Sequence, residues 1–436
     1  MSNQLIDRKK LYYIGNLSIF MIGLGFAVRA NIAPDLKTDI YDHLDLANSA
    51  AMVGEALGIT FTGFALTLLF GSALVDVIGM RRMLLFSALG YVAGAAGLLA
   101  AAMVPVGALA ETLVLGSLLL TGLGWGAVEA ASNPMVASLY PEEKTHRLNV
   151  LHAWWPAGIV VGGLLGLAIS ASGLPWQTNV LILMIPAIIM ALLVRGAAFP
   201  VTERVASGIS YKDMFMEVVK RPLFWLFWGC MFGTAAAELA PGQWVELALS
   251  NIVGMQGIIL LIYVSSLMFV MRHFAGSIVK RISSIGLMCF SCVCAALGLY
   301  TLSLATSPFP AFLAATIWGI GVCYMWPTML GMVSENFPRG GAVALGLMGF
   351  AGGMSIQFVL PYMGRIFDSA KAEAAGGVEN LATLSPEAMD EVVRFASVES
   401  FQAISVIPLL LLPLFALIWF ISRKKSRESE TTQATS

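Results

Sequence analysis

The chain contains, at residues 122–134, the stretch Gly122-Leu123-Gly124-Trp125-Gly126-Ala127-Val128-Glu129-Ala130-Ala131-Ser132-Asn133-Pro134. The surrounding residues are apolar enough to cross a membrane, and glycines allow membrane helices to pack closely. An ionisable group at this depth costs about 2.5–3.5 kcal/mol on insertion scales, so Glu129 requires a partner or a function. Because residues four apart share a helix face, Trp125, Glu129 and Asn133 form one stripe.

The composition is that of a protein that crosses a membrane many times. Of the 436 residues, 58% are hydrophobic and 12% are charged, whereas soluble domains carry about 25% charged residues. The net charge of −1 gives no indication of a nucleic-acid partner. We therefore expect a lipid bilayer as the surroundings and an all-α polytopic membrane protein as the fold class.

Twelve apolar runs approach the length of about 20 residues that a membrane span needs. They lie near 11–33, 53–74, 83–104, 110–136, 149–170, 179–199, 223–247, 253–275, 284–304, 309–333, 342–364 and 401–421. The polar stretch 200–221 divides them into six and six. The sequence therefore predicts an N-terminal six-helix bundle at 1–199, a linker at 200–221, a C-terminal six-helix bundle at 222–422 and a tail at 423–436.

Basic residues collect at alternate connections and mark the cytoplasmic side. They are Arg8, Lys9, Lys10, Arg81, Arg82, Lys144, Arg147, Arg204, Lys212, Lys220, Arg221, Arg423, Lys424, Lys425 and Arg427. The connections 34–52 and 367–400 are acidic, so both termini, the linker and the tail are expected in the cytoplasm. Within 367–400, Ser385-Pro386-Glu387 has the pattern of an N-cap followed by a first turn, which predicts a short surface helix.

The two halves of the chain repeat each other at an offset of 197 residues. Gly122 and Gly124 correspond to Gly319 and Gly321, Tyr140-Pro141 corresponds to Phe337-Pro338, and Glu129 corresponds to Trp326. Parallel repeats of this kind indicate a transporter whose site lies at the interface between the repeats.

The connection after the second span carries Ser72-Ala73-Leu74-Val75-Asp76-Val77-Ile78-Gly79-Met80-Arg81-Arg82. It resembles the cytoplasmic signature of the major facilitator superfamily, although Ser72 and Met80 depart from the usual residues. The resemblance implies that Asp76, Gly79, Arg81 and Arg82 form a gating latch between bundles; an orientation signal is the simpler alternative. The equivalent loop of the second half, 276–281, is more degenerate.

A second resemblance covers residues 120–165. Glu129-Ala130-Ala131-Ser132-Asn133-Pro134 and Arg147-Leu148-Asn149-Val150-Leu151-His152 are similar to the fucose permease branch, whose members are sugar/proton symporters. The resemblance implies twelve helices in two pseudo-symmetric six-helix bundles, alternating access, a bacterial inner membrane, and proton coupling by Glu129. His152 and Trp155 depart from the pattern of that branch.

Reflecting the fourth and fifth spans about their connection places His152 opposite Glu129. A histidine beside the acid would take part in proton coupling, and a simple packing residue is the alternative. Arg29 is predicted to be the only basic residue buried in a span. At 1.5 Å per residue it lies on the order of 10 Å outside the midplane and Glu129 about 6 Å inside it, so direct contact is not expected.

Arg29 has two interpretations, a structural ion pair with Glu55 at similar depth or capture of an anionic substrate. Asn31, two residues further along, is a candidate for substrate contact. In the second half, Pro241-Gly242 is expected to interrupt the seventh span next to a cavity. Indoles offer an apolar face and amides pair with hydroxyls. The candidate substrate-binding residues are Arg29, Asn31, Trp125, Asn133, Trp155, Glu238, Gln243, Trp244, Tyr324, Trp326 and Gln357.

The sequence contains no catalytic or nucleotide-binding motif, which argues against an enzyme or an ATP-driven pump. We expect a monomeric secondary active transporter that imports a neutral hexose or related monosaccharide with protons. A carrier of an anionic sugar acid or of a nucleoside-like solute is the alternative, as is a sodium-coupled or uncoupled sugar carrier. A receptor with transporter architecture is a further possibility. No cofactor or metal is expected besides the coupling ion.

Overall fold

The structure is a computed structural model that describes residues 6–140, 144–250, 254–274 and 281–434. All regular elements within these ranges are helices. Twelve apolar helices of the described ranges form, in chain order, the first to twelfth spans. They are Arg8–Leu36, Ser49–Ile78, Met80–Ala101, Ala108–Leu139, Lys144–Ala171, Gln177–Arg195, Pro222–Trp244, Ile258–Arg272, Ser284–Ser303, Pro308–Asn336, Gly341–Ala374 and Pro386–Ala434.

Eleven of these described helices are long and apolar enough to cross a membrane, and the eighth, with 15 residues, is shorter. Two short helices, Glu203–Ser207 and Tyr211–Val219, lie in the linker. The predicted all-α fold, with twelve helices in two six-helix bundles, is confirmed. The residue boundaries of the two bundles stay a prediction.

The internal repeat is visible in the backbone where the fourth and tenth spans end. Tyr140 has φ −134° and ψ 63°, and its N–H donates to Val136 O. Phe337, 197 residues later, has φ −132° and ψ 58°, and its N–H donates to Val333 O. The same local geometry at equivalent positions supports the relation between the halves that the sequence indicates.

The seventh span does not break at Pro241-Gly242, contrary to the prediction. The helix continues from Pro222 to Trp244 and passes into a π-helical turn, Val245–Leu249. Proline lacks the N–H that would bond the carbonyl four residues earlier. That carbonyl, Ala237 O, instead accepts a hydrogen bond of 3.2 Å from Trp318 Nε1 of the tenth span. The side chain of Trp318 therefore replaces the backbone hydrogen bond that Pro241 cannot make, and the helix continues through the proline.

The predicted short surface helix at Ser385 is also wrong in its length. Ser385 Oγ caps the helix by accepting from Ala388 N at 3.3 Å, but the helix runs without interruption from Pro386 through the twelfth span. Between Glu387 and Ile407 the sequence contains neither glycine nor proline, so nothing in this stretch stops the first turns from extending into the membrane helix.

The two bundles meet along the second and eleventh spans, which pack closely over their whole length. A Cβ atom at Gly54 would lie 2.5 Å from Leu360 O, and one at Gly353 would lie 2.8 Å from Phe61 O. Gly54 and Gly353 thus allow backbone-to-backbone approach between the bundles. The end of the molecule that carries the linker helices is called the linker end below, and the other is called the opposite end.

Candidate functional site

The acid of the fourth span belongs to a polar group of three residues, the Glu129 cluster, which consists of Glu129, Asn133 and His152. Asn133 Nδ2 donates to Glu129 Oε2 at 2.8 Å, and Asn133 Oδ1 lies 3.0 Å from His152 Nε2. His152 Nε2 lies 4.0 Å from Glu129 Oε2. The predicted proximity of His152 and Glu129 is therefore confirmed, whereas their role in proton coupling stays a prediction.

The Glu129 cluster is not sealed inside the protein. The Glu129 side chain is 12% exposed and that of His152 is 22% exposed. Asn133 bonds to both ionisable groups at once, because an amide offers a donor and an acceptor on adjacent atoms. The carboxylate of Glu129 is therefore only partly covered by the protein, although it lies within an apolar helix.

Arg29 of the first span connects the two bundles. Its Nε donates to Gln243 Oε1 of the seventh span at 3.3 Å, and Gln243 Nε2 donates to Phe26 O at 2.9 Å. The Arg29 guanidinium carbon also lies 5.4 Å from the ring centroid of Trp125. Glu55 is exposed and does not pair with Arg29, so the structural ion pair considered from the sequence is wrong.

A buried charge pair lies in the C-terminal half. Arg272 of the eighth span donates through Nη2 to Glu238 Oε1 of the seventh span at 3.1 Å, and Arg272 Nε donates to Cys323 O at 3.1 Å. Glu238 Oε2 accepts from the backbone N–H of Trp326 at 3.1 Å. The prediction that Arg29 is the only basic residue buried in a span is therefore wrong.

Aromatic side chains join these polar groups into one region between the bundles. Phe64 lies 4.6 Å from Trp125 and 6.2 Å from Trp326, measured between ring centroids. Trp155, one helical turn from His152, lies 5.9 Å from the guanidinium carbon of Arg272. A small cavity at this position is lined by Phe26, Trp155, Ile159, Glu238, Gly242, Leu261, Val264, Ser265, Met268, Trp318 and Val322.

The structure places four other candidates in packing or inter-span contacts. Asn31 turns to the sixth span, where its Nδ2 donates to Asn179 Oδ1 at 3.2 Å. Gln357 accepts from Thr62 Oγ1 of the second span at 2.6 Å. Tyr324 is buried and donates through its hydroxyl to Met271 O at 3.1 Å. Trp244 is fully buried, and its indole N–H has no partner among the described residues.

The motif after the second span contacts the linker. Asp76 Oδ2 accepts from Arg204 Nε at 2.5 Å and from Tyr211 Oη at 3.3 Å, and Asp76 Oδ1 accepts from Thr202 Oγ1. Hydrogen bonding to this carboxylate raises the pKa of Arg204 above its ordinary value. Asp76 is thus the anchor of the linker on the second span.

The other residues of the motif have different tasks. Gly79 has φ +86°, a conformation that favours glycine, and it reverses the chain between the second and third spans. Arg81 donates to Arg195 O at the end of the sixth span, and Arg82 is exposed. The equivalent loop of the second half, 276–281, lies outside the described residues apart from Arg281.

The model of one family, described as the Major Facilitator Superfamily, matches residues 15–361. The chain belongs to the major facilitator superfamily. No curated protein sequence matches it significantly. The resemblance to the superfamily signature around Asp76 is thereby confirmed at the level of the superfamily, whereas the resemblance to the fucose permease branch stays a prediction.

Solved structures of other transporters share the superfamily fold. The xylose transporter of Escherichia coli is 13% identical, covers 93% of this chain and 98% of its own, and has a TM-score of 0.70. A nucleoside transporter is 12% identical, covers 94% and 99%, and has a TM-score of 0.68. The fucose:proton symporter of Escherichia coli is 15% identical, covers 92% and 98%, and has a TM-score of 0.55. Such low identities show the fold alone.

Within this superfamily fold, the sequence did not single out Arg272. The residue lies near the end of the predicted eighth span, where basic residues usually report orientation. Its partner Glu238 was predicted from the sequence as a substrate-binding residue. An acid deep in a span requires a partner or a function, and this requirement could have prompted a search for a basic residue near Glu238. Among the described residues, the site thus contains two buried arginines and two carboxylates, Glu129 and Glu238.

Proposed function

We propose that the protein is a secondary active transporter that carries a sugar-type solute together with protons by alternating access, and that Glu129 carries the proton. The observation that supports this proposal is the Glu129 cluster. A partly exposed carboxylate in a membrane span bonds to an amide, and that amide also contacts an imidazole. Ionisable residues facing the interior of membrane spans mark ion or proton pathways.

The chemistry of the cluster suits a carboxylate that alternates between two forms. When Glu129 is ionised, the Asn133 N–H and a protonated His152 stabilise it. When Glu129 is protonated, it carries no net charge, and the cluster can face an apolar barrier at lower cost. Transport of a proton therefore consists of loading Glu129 on one side of the membrane and unloading it on the other.

The indoles and amides between the bundles suit a solute with apolar C–H faces and hydroxyl groups. A neutral hexose is the substrate class predicted from the sequence, and an acidic or nucleoside-like solute is the alternative. Sodium in place of the proton is the alternative coupling ion, because carboxylate and amide oxygens also bind that ion. Proton carriage by the Glu129 cluster is compatible with any of these substrates. The residue whose charge would distinguish a neutral substrate from an acidic one is Arg29.

We further propose that the linker end faces the cytoplasm of a bacterium, with the protein in the inner membrane as a monomer. The positive residues of the linker and of both termini support this orientation. Asp76 then anchors the cytoplasmic linker, and the two bundles move against each other around the site between them.

The test is uptake by purified protein in liposomes, with labelled monosaccharides and sugar acids offered separately. Glu129→Gln should retain counterflow exchange of the transported solute but lose accumulation driven by a pH gradient. The control is Glu55→Gln, which removes an exposed carboxylate from the second span and should change neither activity. Accumulation by Glu129→Gln at the wild-type level would refute the coupling role, and accumulation driven by a sodium gradient alone would identify sodium as the coupling ion.

A further inference from the structure

Arg29 is a buried cation that no carboxylate of the described residues neutralises. Its exposed fraction is 2%, its Nε donates to the neutral amide of Gln243, and its Nη2 has no partner among the described residues. Arg272 provides the contrast within the same molecule, because its guanidinium pairs with Glu238. A buried charge without a counter-charge is strongly destabilising. The Arg29 guanidinium would therefore be stabilised by an anionic group of a bound ligand.

The unused hydrogen-bonding groups around Arg29 include the hydroxyl of Tyr91, which lies with Arg29 Nη1 beside Gly25 and can donate as well as accept. The indole N–H of Trp125 is buried without a hydrogen-bond partner, and the Trp125 ring lies 5.4 Å from the Arg29 guanidinium carbon. The amide of Gln243 is already used, because its oxygen accepts from Arg29 and its nitrogen donates to Phe26 O. A carboxylate brings acceptors only, whereas each sugar hydroxyl also brings a donor that needs an acceptor. Arg29 Nη2 and the Trp125 N–H can only donate, so these two groups favour a carboxylate over a hydroxyl.

The charges of the site lead to the same substrate class. Glu238 and Arg272 neutralise each other, so the balance depends on Arg29 and Glu129, which lies one helical turn from Trp125. When Glu129 is protonated and His152 is neutral, Arg29 is the remaining uncompensated charge. We propose that Arg29 and Trp125 bind the carboxylate of a sugar acid, a polyhydroxy solute with one negative charge, which is carried together with the proton on Glu129. The co-transport with a proton rests on the function proposed above, whereas the binding of the acid does not.

Binding is tested with the full-length protein in detergent by ligand-dependent thermal stabilisation. The probes are galacturonate, glucuronate and gluconate, compared with galactose, glucose and fucose at equal concentration and ionic strength. At least one acid should bind roughly 10-fold or more tightly than its neutral counterpart, because bonds between guanidinium and carboxylate are charge-assisted. Binding of a neutral sugar with equal or greater affinity than every acid, or binding of none of the acids, would overturn the proposal.

Three variants assign the binding to these residues. Arg29→Gln should weaken acid binding roughly 10- to 100-fold. Arg29→Lys keeps the charge and should weaken it less. Trp125→Phe keeps the ring but removes the N–H, and it should weaken acid binding several-fold without affecting neutral sugars. The matched control Arg365→Gln, which changes an exposed arginine, should leave binding unchanged. Unaltered acid binding in both Arg29→Gln and Trp125→Phe would overturn the assignment, provided each variant still unfolds cooperatively.

The charge carried per cycle separates this inference from the proposed function. One proton with one monovalent anion moves no net charge, so an imposed potassium diffusion potential should not change the initial uptake rate in liposomes at constant pH gradient. Acceleration by an inside-negative potential would show that each cycle moves net positive charge, which overturns the transport of one proton with one monovalent anion but leaves proton coupling intact. An initial rate of sugar-acid uptake that is the same with and without a pH gradient would overturn proton coupling but leave the proposed binding site intact.

Discussion

Asn133 holds the two ionisable groups of the Glu129 cluster in one arrangement. Its Nδ2 contacts the carboxylate at 2.8 Å and its Oδ1 contacts the imidazole at 3.0 Å, so each group is oriented through the same amide. A hydrogen bond to a charged group contributes about 1.5–3 kcal/mol. Asn133 is therefore expected to act through Glu129 and His152 even where it does not touch the solute.

We predict that Asn133→Ala lowers pH-driven uptake by about tenfold or more, because the variant removes the amide that orients both the carboxylate and the imidazole. Initial uptake rates at a fixed pH gradient measure the effect. Asn336→Ala, at an exposed position at the end of the tenth span, is the control, and uptake by Asn133→Ala at the wild-type rate would contradict the prediction.

Contacts between side chains could be predicted from the sequence when both residues lie on one helix or on two helices joined by a single connection. The stripe of Trp125, Glu129 and Asn133 and the approach of His152 follow from helical periodicity and a single connection. The partners of Arg29 and Glu238 lie on helices far away in sequence, Gln243 and Arg272. Which of several polar residues meets a buried charge depends on how twelve helices pack, and periodicity does not contain that information.

At the scale of the element, the fourth span depends on glycine where it crosses the second. A Cβ atom at Gly122 would overlap the carbonyl oxygen of Thr60, whereas one at Gly116 of the same helix would meet no neighbour. A backbone oxygen cannot move away from an added Cβ atom as a flexible side chain can, so a substitution at Gly122 would push the two helices apart. The spacing of the glycines therefore determines where these two helices can touch.

We predict that Gly122→Ala lowers the stability of the protein by about 1–3 kcal/mol, the usual cost of overpacking. Gly116→Ala should be neutral or stabilising by up to about 1 kcal/mol, because alanine favours the helix more than glycine does. Thermal unfolding in detergent measures both variants. Equal melting temperatures of the two variants would contradict the packing that the structure shows.

The linker is a second element whose position depends on few contacts. Asp76 accepts hydrogen bonds from Thr202, Arg204 and Tyr211, and the helix Tyr211–Val219 then packs on the turn before the eleventh span. Its buried side chains there are Met214 and Val218. The linker thereby joins the end of the second span to the C-terminal half at the linker end.

We predict that Asp76→Asn increases amide hydrogen exchange of residues 202–219 by about tenfold, since charge-assisted bonds are about twice as strong as neutral ones. Hydrogen-exchange mass spectrometry at neutral pH measures the change. Lys212→Gln removes an exposed charge from the same helix and should leave the exchange unchanged. Protection equal to the wild type in Asp76→Asn would show that packing alone holds the linker.

The elements were predictable to the extent that hydropathy and length define them. Twelve apolar runs became twelve helices, because the interior of a bilayer leaves the backbone no other hydrogen-bond partners. The two errors, at Pro241 and after Ser385, concern where a helix stops. Trp318 compensates for the proline from another span, and such compensation cannot be inferred from the sequence around Pro241.

At the scale of the whole molecule, contacts between the halves exist at both ends. At the opposite end, Asp368 Oδ2 of the eleventh span accepts from Ala51 N at 2.8 Å. Lys371 lies 3.4 Å from Asp368 and donates to Leu46 O at 3.1 Å. The start of the second span is thus clamped by the eleventh. The alternating access proposed above requires that this clamp and the linker contacts open at different times.

We predict that Asp368→Asn loosens the opposite end and leaves the linker end protected. The variant leaves Lys371 buried without its carboxylate, which favours the state in which this end is open to water. Amide exchange of residues 46–56 should rise by about tenfold, while residues 202–219 keep wild-type rates. Asp390→Asn, at an exposed position, is the control, and equal increases at both ends would indicate general unfolding instead.

Glu129 is proposed to carry a proton with each solute molecule. The most direct measurement is the pH of a weakly buffered medium around liposomes that contain the purified protein, recorded while the transported solute is added outside. We predict that the medium becomes alkaline in proportion to the solute taken up, and that Glu129→Gln abolishes this change while counterflow persists. Solute uptake without alkalinisation by the wild-type protein, or undiminished alkalinisation by Glu129→Gln, would contradict the claim.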